Sequence, residues 1–295
     1  MFAIKPDMAN TNWERVLEDC RQISLPETFL KLQQILARES FSLEEVSDAI
    51  AIDPELSDTL LRMVNSPLFD VETPIRKIAR AVNFLGAQQV HDLVLGISIA
   101  HSFDNLHGPN FDLSEFWQKS AYCAIAAREL AGFTSLLDGE RLFVIGLMHD
   151  IGHLMMQHSL AELTAEADNQ APSSREGISQ AQRKTIGFDY AEVGGQMLQN
   201  WSLPEGLINC IRYQLTPARA DDCPLEAAIL NIAVLMTHQL DGTEANAGFM
   251  GLADDSVAKL IGINESRIHM VDHRVRAQQP LVMELLFPRF HATNT

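Results

Sequence analysis

The chain has 295 residues, is 46% hydrophobic and 21% charged, and carries a net charge of −17 from 22 basic and 39 acidic side chains. That balance fits a globular chain long enough for one large or two ordinary domains and excludes a mainly disordered or collagen-like one. Its longest basic clusters are Arg183-Lys184 and the spaced Arg274 and Arg276, so nucleic acid and anionic membrane, both repelled at long range, are not expected partners.

The N-terminal stretch MFAIKPDMANTNWER has no apolar run of signal-peptide length. No apolar stretch approaches the roughly 18 residues of a membrane-spanning helix, and the expected location is the cytoplasm. Ser42 and Glu45 form a capping-box pattern ahead of the stripe Leu43, Val46, Ile50. Asp53-Pro54 starts the next helix with an N-cap and a proline at its first position, and Leu56, Leu60 and Val64 line one face. Asn65-Ser66-Pro67 and Gly86 are stops.

The segment DNLHGPNFDL, residues 104–113, gathers Gly, Pro, Asn and Asp and reads as the main boundary, dividing the chain into 1–112 and 113–295. Asp112 and Glu115 suggest another capping box. DNQAPSSREG, residues 168–177, reads as a surface loop. Val193, Met197 and Trp201 continue the helical spacing, Ser202-Leu203-Pro204 breaks it, and Leu225, Ile229 and Ile232 resume it. Strand-type alternation is scarce, so the expected fold class is all-α. Cys20, Cys123, Cys210 and Cys223 lie far apart with no CxxC pair; the spacing leaves a disulfide open, and reduced, mostly buried thiols are expected.

The sharpest chemical feature is FVIGLMHDIGHLMM, residues 143–156. A buried Asp150 needs a hydrogen-bonded, charged or metal partner, and an adjacent His149 offers a nitrogen to the same divalent ion. His153 lies one turn further on the same face. The structural alternative is that Asp150 caps or bridges helices and His149 is a core histidine with its hydrogen bonds satisfied. Spacing alone favours that alternative.

Longer motifs change the weighting. GLMHDIGHL resembles the GLLHDIGKL-type signature of the HD superfamily of metal-dependent phosphohydrolases. LPETFLKLQQIL, SLEEVSDAIAIDPELSDTLLRMVNSPLF and PIRKIARAVNFLGAQQVHDLVLG resemble the N-terminal half of the HDOD family. There Asp53-Pro54, Leu60-Leu61, Asn65-Ser66 and Leu85-Gly86 match in order and spacing. FWQKSAYCAIAARELA, GFDYAEVGGQML and WSLPEGLINCIRY extend the match over roughly residues 15–215.

The resemblance implies an HD-domain-like helical bundle with an N-terminal helical subdomain, and a bacterial signalling or regulatory role. Many members have lost the metal ligands, so each position is read separately. Lys119 in WQKS stands where relatives carry the His of WxHS, and its ammonium has no lone pair to donate. His149 and Asp150 fit the central pair. Tyr190 replaces a His ahead of AEVG, Arg212 and Tyr213 fall in the turn that is His-rich in relatives, and Ala233-Val234 stands where a last Asp is expected. About three protein ligands are needed for a catalytic metal, and only two positions keep one.

The expected function is therefore a non-catalytic signal-transduction or regulatory protein with no cofactor. In it Lys119, Tyr190, Arg212 and Tyr213 would surround a former metal pocket suited to a small anionic ligand such as a nucleotide, or to a protein partner. The alternative is a metal-dependent phosphohydrolase using Mn, Fe, Zn or Mg at an atypical site built on His149 and Asp150, with His153 as a weaker ligand and His158 nearby. His91, His101, His107, His238, His269 and His273 carry no assignment. Gly194-Gly195 reads as a close helix contact, and Asn65-Ser66 as a helix end.

Overall fold

The structure is a computed structural model that describes residues 6–69, 71–103, 106, 112–134, 138–171, 174–239 and 262–291. No strand occurs among them. In chain order the helices are α1 (Pro6–Gln22), α2 (Glu27–Leu36), α3 (Leu43–Ala51), α4 (Pro54–Val64), α5 (Ile78–Leu85) and α6 (Ala87–Ser102). Then follow α7 (Leu113–Ala131), α8 (Gly139–Met148), α9 (Ile151–Ser159), α10 (Ala161–Gln170), α11 (Arg175–Thr185) and α12 (Tyr190–Asn200). The last are α13 (Glu205–Arg212), α14 (Pro224–Gln239), α15 (Glu265–Leu286) and α16 (Pro288–His291), with a 3-10 turn at Pro217–Arg219. No helix of the described residues is long and apolar enough to cross a membrane.

Local chemistry sets the helix ends. At α3 the capping box is complete: the Glu45 amide donates to Ser42 Oγ at 3.1 Å, and the Ser42 amide donates to Glu45 Oε2 at 2.8 Å. Asp53 accepts from the Leu56 amide at 3.0 Å to start α4. Asp112 accepts from the Ser114 and Glu115 amides, but the Glu115 carboxylate turns instead to Lys119 at 2.8 Å, so only half of the expected box forms. Gly86 ends α5 and opens α6 at φ 90°, a left-handed conformation that favours glycine. Asn65 does more than end α4. Its side chain exchanges two 2.7 Å hydrogen bonds with the Ile75 backbone and so fastens the connection that leads to α5.

The chain forms two compact units, and they are not consecutive. One comprises Met1–Ile23 with Leu106–Val275, the other Ser24–Asn105 with Arg276–Thr295. A single division between 112 and 113 is thereby corrected: each chain end joins the unit that the other end does not. Most of the 104–113 stretch, with His107, lies outside the described residues.

In the first unit α7 packs broadly on α8 and α14, α9 crosses α12, and α1 lies on α9 and α12. The apolar face of α1 explains its allegiance, since Val16 and Cys20 are buried and Trp13 meets Phe188 edge-on at 4.8 Å. The α9–α12 crossing is very close. A Cβ on Gly152 would stand 1.9 Å from the Tyr190 carbonyl oxygen and 2.4 Å from the Gly194 nitrogen, so only glycine fits.

In the second unit α2, α4 and α5 pack on α6, which is buried continuously from Val90 to Ala100, and α3 packs on α2 and α5. Val46, Ile50, Leu56, Leu60 and Val64 lie in its core, whereas Leu43, at the first turn of α3, is exposed. All four cysteines are free and buried, and burial pushes the Cys20 and Cys123 thiols up to about 12.

Candidate functional site

His149 and Asp150 occupy the sharp junction between α8 and α9, in the first unit. The backbone there is held from the turn after α13 and from α14: Gln214 Nε2 donates to the His149 carbonyl at 2.8 Å, and Asn231 Nδ2 donates to the Gln214 carbonyl at 2.8 Å. His149 is 1% exposed. Its Nδ1 lies 2.8 Å from the Gly146 carbonyl, which fixes Nδ1 as the protonated nitrogen, while Nε2 has no hydrogen-bond partner among the described residues. Burial lowers its pKa to about 4, a shift that Asp150 opposes and Arg175 reinforces. His149 is thus neutral near pH 7.

Asp150 meets an arginine. Arg175, the first residue of α11, places Nη1 2.6 Å from Oδ1 and Nη2 3.1 Å from Oδ2, a two-pronged ion pair. Its Nε donates to His238 Nε2 on α14, and its Cζ lies 5.1 Å from the centre of the Tyr190 ring. All three guanidinium nitrogens are thus engaged, and the residue is 5% exposed. Burial alone would raise the Asp150 pKa, but Arg175, with help from His153, holds it well below the usual carboxylate range. Burial and the arginine together lower His238 to about 2, leaving a neutral acceptor.

A second charge pair adjoins the first. His153 on α9 places Nε2 2.8 Å from Asp168 Oδ2 and Nδ1 3.7 Å from Asp150 Oδ2. Burial opposes its protonation, but the two carboxylates win and raise its pKa to about 9. Gln182 Nε2 donates to Asp168 Oδ1 at 3.1 Å, and its Oε1 accepts from the Tyr190 amide at 3.0 Å. The cluster is electrically closed: Asp150 and Asp168 are balanced by Arg175 and His153.

The structure separates the expected site residues. His149, Asp150, His153 and Tyr190 come together. Lys119 lies near enough for its charge to lower His149 and His238, yet its ammonium pairs with Glu115 on the surface. Arg212 and Tyr213 instead line a surface cavity of about 300 Å³ that shares none of the cluster's side chains, so they do not surround the former metal pocket. Ala233 and Val234 are buried apolar residues. His238, one turn later on the same helix, supplies the polar group that α14 brings to the cluster. His269 and His273 are exposed.

The expected surface loop at 168–177 is a further correction. Asp168 lies in α10, and Ser174 caps α11 by accepting from the Gly177 amide at 3.1 Å, which turns the adjacent Arg175 inward. The sequence signal was the serine followed by Arg-Glu, a helix start hidden among loop-forming residues.

A divalent ion, which the HD resemblance implies, does not fit this arrangement. Both Asp150 oxygens are occupied by a buried cation, and His153 Nε2 is committed to Asp168. Among the described residues no group of three or more His, Cys, Asp or Glu side chains is placed to hold a metal. His149 Nε2 alone retains the character of a ligand.

An all-helical bundle with a His-Asp junction in its core defines an HD-like scaffold. The HDOD domain model matches residues 23–217, well over half of the chain. The chain belongs to the HDOD domain family.

An HDOD domain protein of unknown function from Geobacter sulfurreducens superposes with a TM-score of 0.71 at 21% identity, covering 94% of this chain and 99% of that one. A Shewanella amazonensis SB2B protein, provisionally named a phosphohydrolase, gives 0.68 at 23% identity over 92% and 96% of the two chains. A Marinobacter aquaeolei VT8 protein, provisionally named a signal transduction protein, gives 0.66 at 18% identity over 94% of this chain and 61% of the other. These likenesses establish the fold. An uncharacterized protein of Treponema pallidum strain Nichols is 24% identical over 191 residues, 64% of this chain. The match spans only 36% of that relative's length.

Proposed function

We propose that this HDOD protein is a non-catalytic signal-transduction or regulatory module, acting through a protein partner or a small anionic ligand. The observation that carries this reading is the Arg175 guanidinium on both Asp150 oxygens. A fixed organic cation supplies the neutralising charge that a metal would otherwise give, but it has no exchangeable position at which water could be activated.

A second reading, a metal-dependent phosphohydrolase with an atypical set of His149, Asp150 and His153, draws support from the buried, unpartnered His149 Nε2. Elemental analysis of untagged protein after incubation with manganese, iron, zinc or magnesium, alongside a His149→Ala, Asp150→Ala variant, separates the two. The regulatory reading expects no stoichiometric metal in either protein and no hydrolysis of a generic phosphoester. Stoichiometric metal that disappears in the variant, together with phosphoester hydrolysis, would overturn it.

A further inference from the structure

The cavity that Arg212 and Tyr213 line lies on the surface of the first unit, away from the buried cluster. Arg183, Arg212 and Arg219 all reach it. They are not equivalent. Arg183 is neutralised, with Nε 2.9 Å from Asp189 Oδ2 and Nη2 3.5 Å from Glu192 Oε1. Among the described residues Arg212 makes one hydrogen bond, a 3.3 Å contact to the Gln199 amide oxygen. Arg219 lies over the Tyr213 ring at 5.1 Å, which leaves the N–H edge of its guanidinium available. Among the described residues neither Arg212 nor Arg219 has a carboxylate partner, in a chain whose net charge is −17.

Arg212 is also seated by a specific feature of the sequence. A Cβ on Gly195 would stand 3.0 Å from its Nε and 3.1 Å from its Cβ, so the second glycine of the pair clears the surface of α12 for this side chain. The same arginine, with Glu192, lines a second cavity of about 420 Å³ whose wall carries Trp13 and Phe188. The two cavities therefore share a wall, with guanidinium groups on one side and aromatic rings on the other.

We propose that this paired cleft binds a nucleoside monophosphate, with the phosphate between Arg212 and Arg219 and the base beside Trp13 and Phe188. Two uncommitted guanidinium charges match one phosphate dianion, and planar forked donors suit its oxygens. Aromatic side chains offer a base an apolar, stackable surface. Glu192, at the shared wall, retains acceptor lone pairs for a sugar hydroxyl beyond its bond from the Asp189 amide and its contact with Arg183. Glu176, also on the lining, limits the negative charge that the cleft tolerates and disfavours a triphosphate. The site goes beyond the regulatory reading and stands whether or not the buried cluster is catalytic.

The test is calorimetric titration of the full chain with AMP, GMP, CMP, UMP, ATP, adenosine and inorganic phosphate. At least one monophosphate is expected to bind with a dissociation constant on the order of 10–100 μM, with adenosine, phosphate and ATP each weaker by about tenfold or more. Arg219 is exposed, so Arg219→Ala keeps the fold, which circular dichroism verifies; it should weaken binding by about tenfold, and Trp13→Leu should weaken it independently. The proposal is overturned if no monophosphate binds at about 1 mM, or if binding survives both Arg219→Ala and Arg212→Ala unchanged.

Discussion

A carboxylate taken out of water persists as an ion only if another charge replaces the lost hydration. At Asp150 that charge is Arg175, and the dependence is mutual, because the arginine is even more buried than its partner. Removing one member of such a pair is costlier than removing both. Arg175→Met should therefore lower stability by about 3 kcal/mol or more, since it strands Asp150 and takes the donor from His238. Asp150→Asn added to Arg175→Met should recover much of that loss, giving a coupling of about 2 kcal/mol in a urea-denaturation double-mutant cycle. A single-variant loss below about 1 kcal/mol would show that the arginine is dispensable to the fold.

The same residues set a pH profile. His149 and His238 have folded values of about 4 and about 2, below the ordinary 6.5, so the unfolded chain takes up protons there that the folded chain refuses. Their contribution is present above 6.5 and is lost as pH falls toward the folded values. His153 has the opposite sign. Raised to about 9, its contribution is full below 6.5 and is lost as pH climbs through 9. Thermal unfolding monitored from pH 5 to pH 10 should peak near the ordinary histidine value on account of this cluster. His153→Gln should flatten the alkaline limb and leave the acid limb in place; an unchanged alkaline limb would sink the assignment. From sequence, His149 and Asp150 were legible because they are adjacent in a motif. Arg175 and His238 were not, because their roles depend on α11 and α14 meeting α9 in space.

Among the elements, what was legible is what local chemistry determines. The Ser42–Glu45 box and the Asp53 cap depend on residues three positions apart, and both form as their patterns predict. The Asp112 box fails at the step that needs a choice between partners. Glu115 has a lysine one turn ahead, and the salt bridge wins over the N-cap amide. Leu43 belongs to the apolar stripe by spacing but sits at the first helical position, where the chain has not yet turned toward the core. The 168–177 segment reads as a loop because of its Asn, Pro and Ser residues, whereas a one-residue cap at Ser174 is enough to start a helix with a buried first side chain. The Gly152 crossing joins the two scales. Backbone contact between α9 and α12 brings Tyr190, the first residue of α12, to the cluster, so the HD junction and the GFDYAEVGG motif form one site despite their separation in sequence.

At the scale of the whole molecule, the HDOD match from 23 to 217 leaves out parts of both units. It omits α1, all of α14 and the start of α15 from the first unit, and from the second the end of α15 together with α16. Periodicity finds such helices but not their allegiance, which is why the chain divides differently from the order in which its motifs appear. The α1 helix shows how much depends on this. Its Asn12 side chain donates to the Ile186 carbonyl at 3.2 Å, Trp201 Nε1 donates to the Ile23 carbonyl at 2.9 Å, and Val16, Cys20 and the Trp13–Phe188 contact close an apolar face over α9 and α12. Burying two or three such side chains contributes about 1.5–3 kcal/mol each, a large part of the stability of an ordinary domain. A chain lacking residues 1–22 should therefore melt well below the full chain and expose the α9–α12 face to a hydrophobic dye, even though it retains every residue of the HDOD match. Equal melting temperatures and no added dye binding would mean that α1 is an appendage and that the 23–217 match bounds the folding unit. The dye result is decisive because it reports the face that α1 covers, whereas a lower melting temperature alone could arise from any truncation.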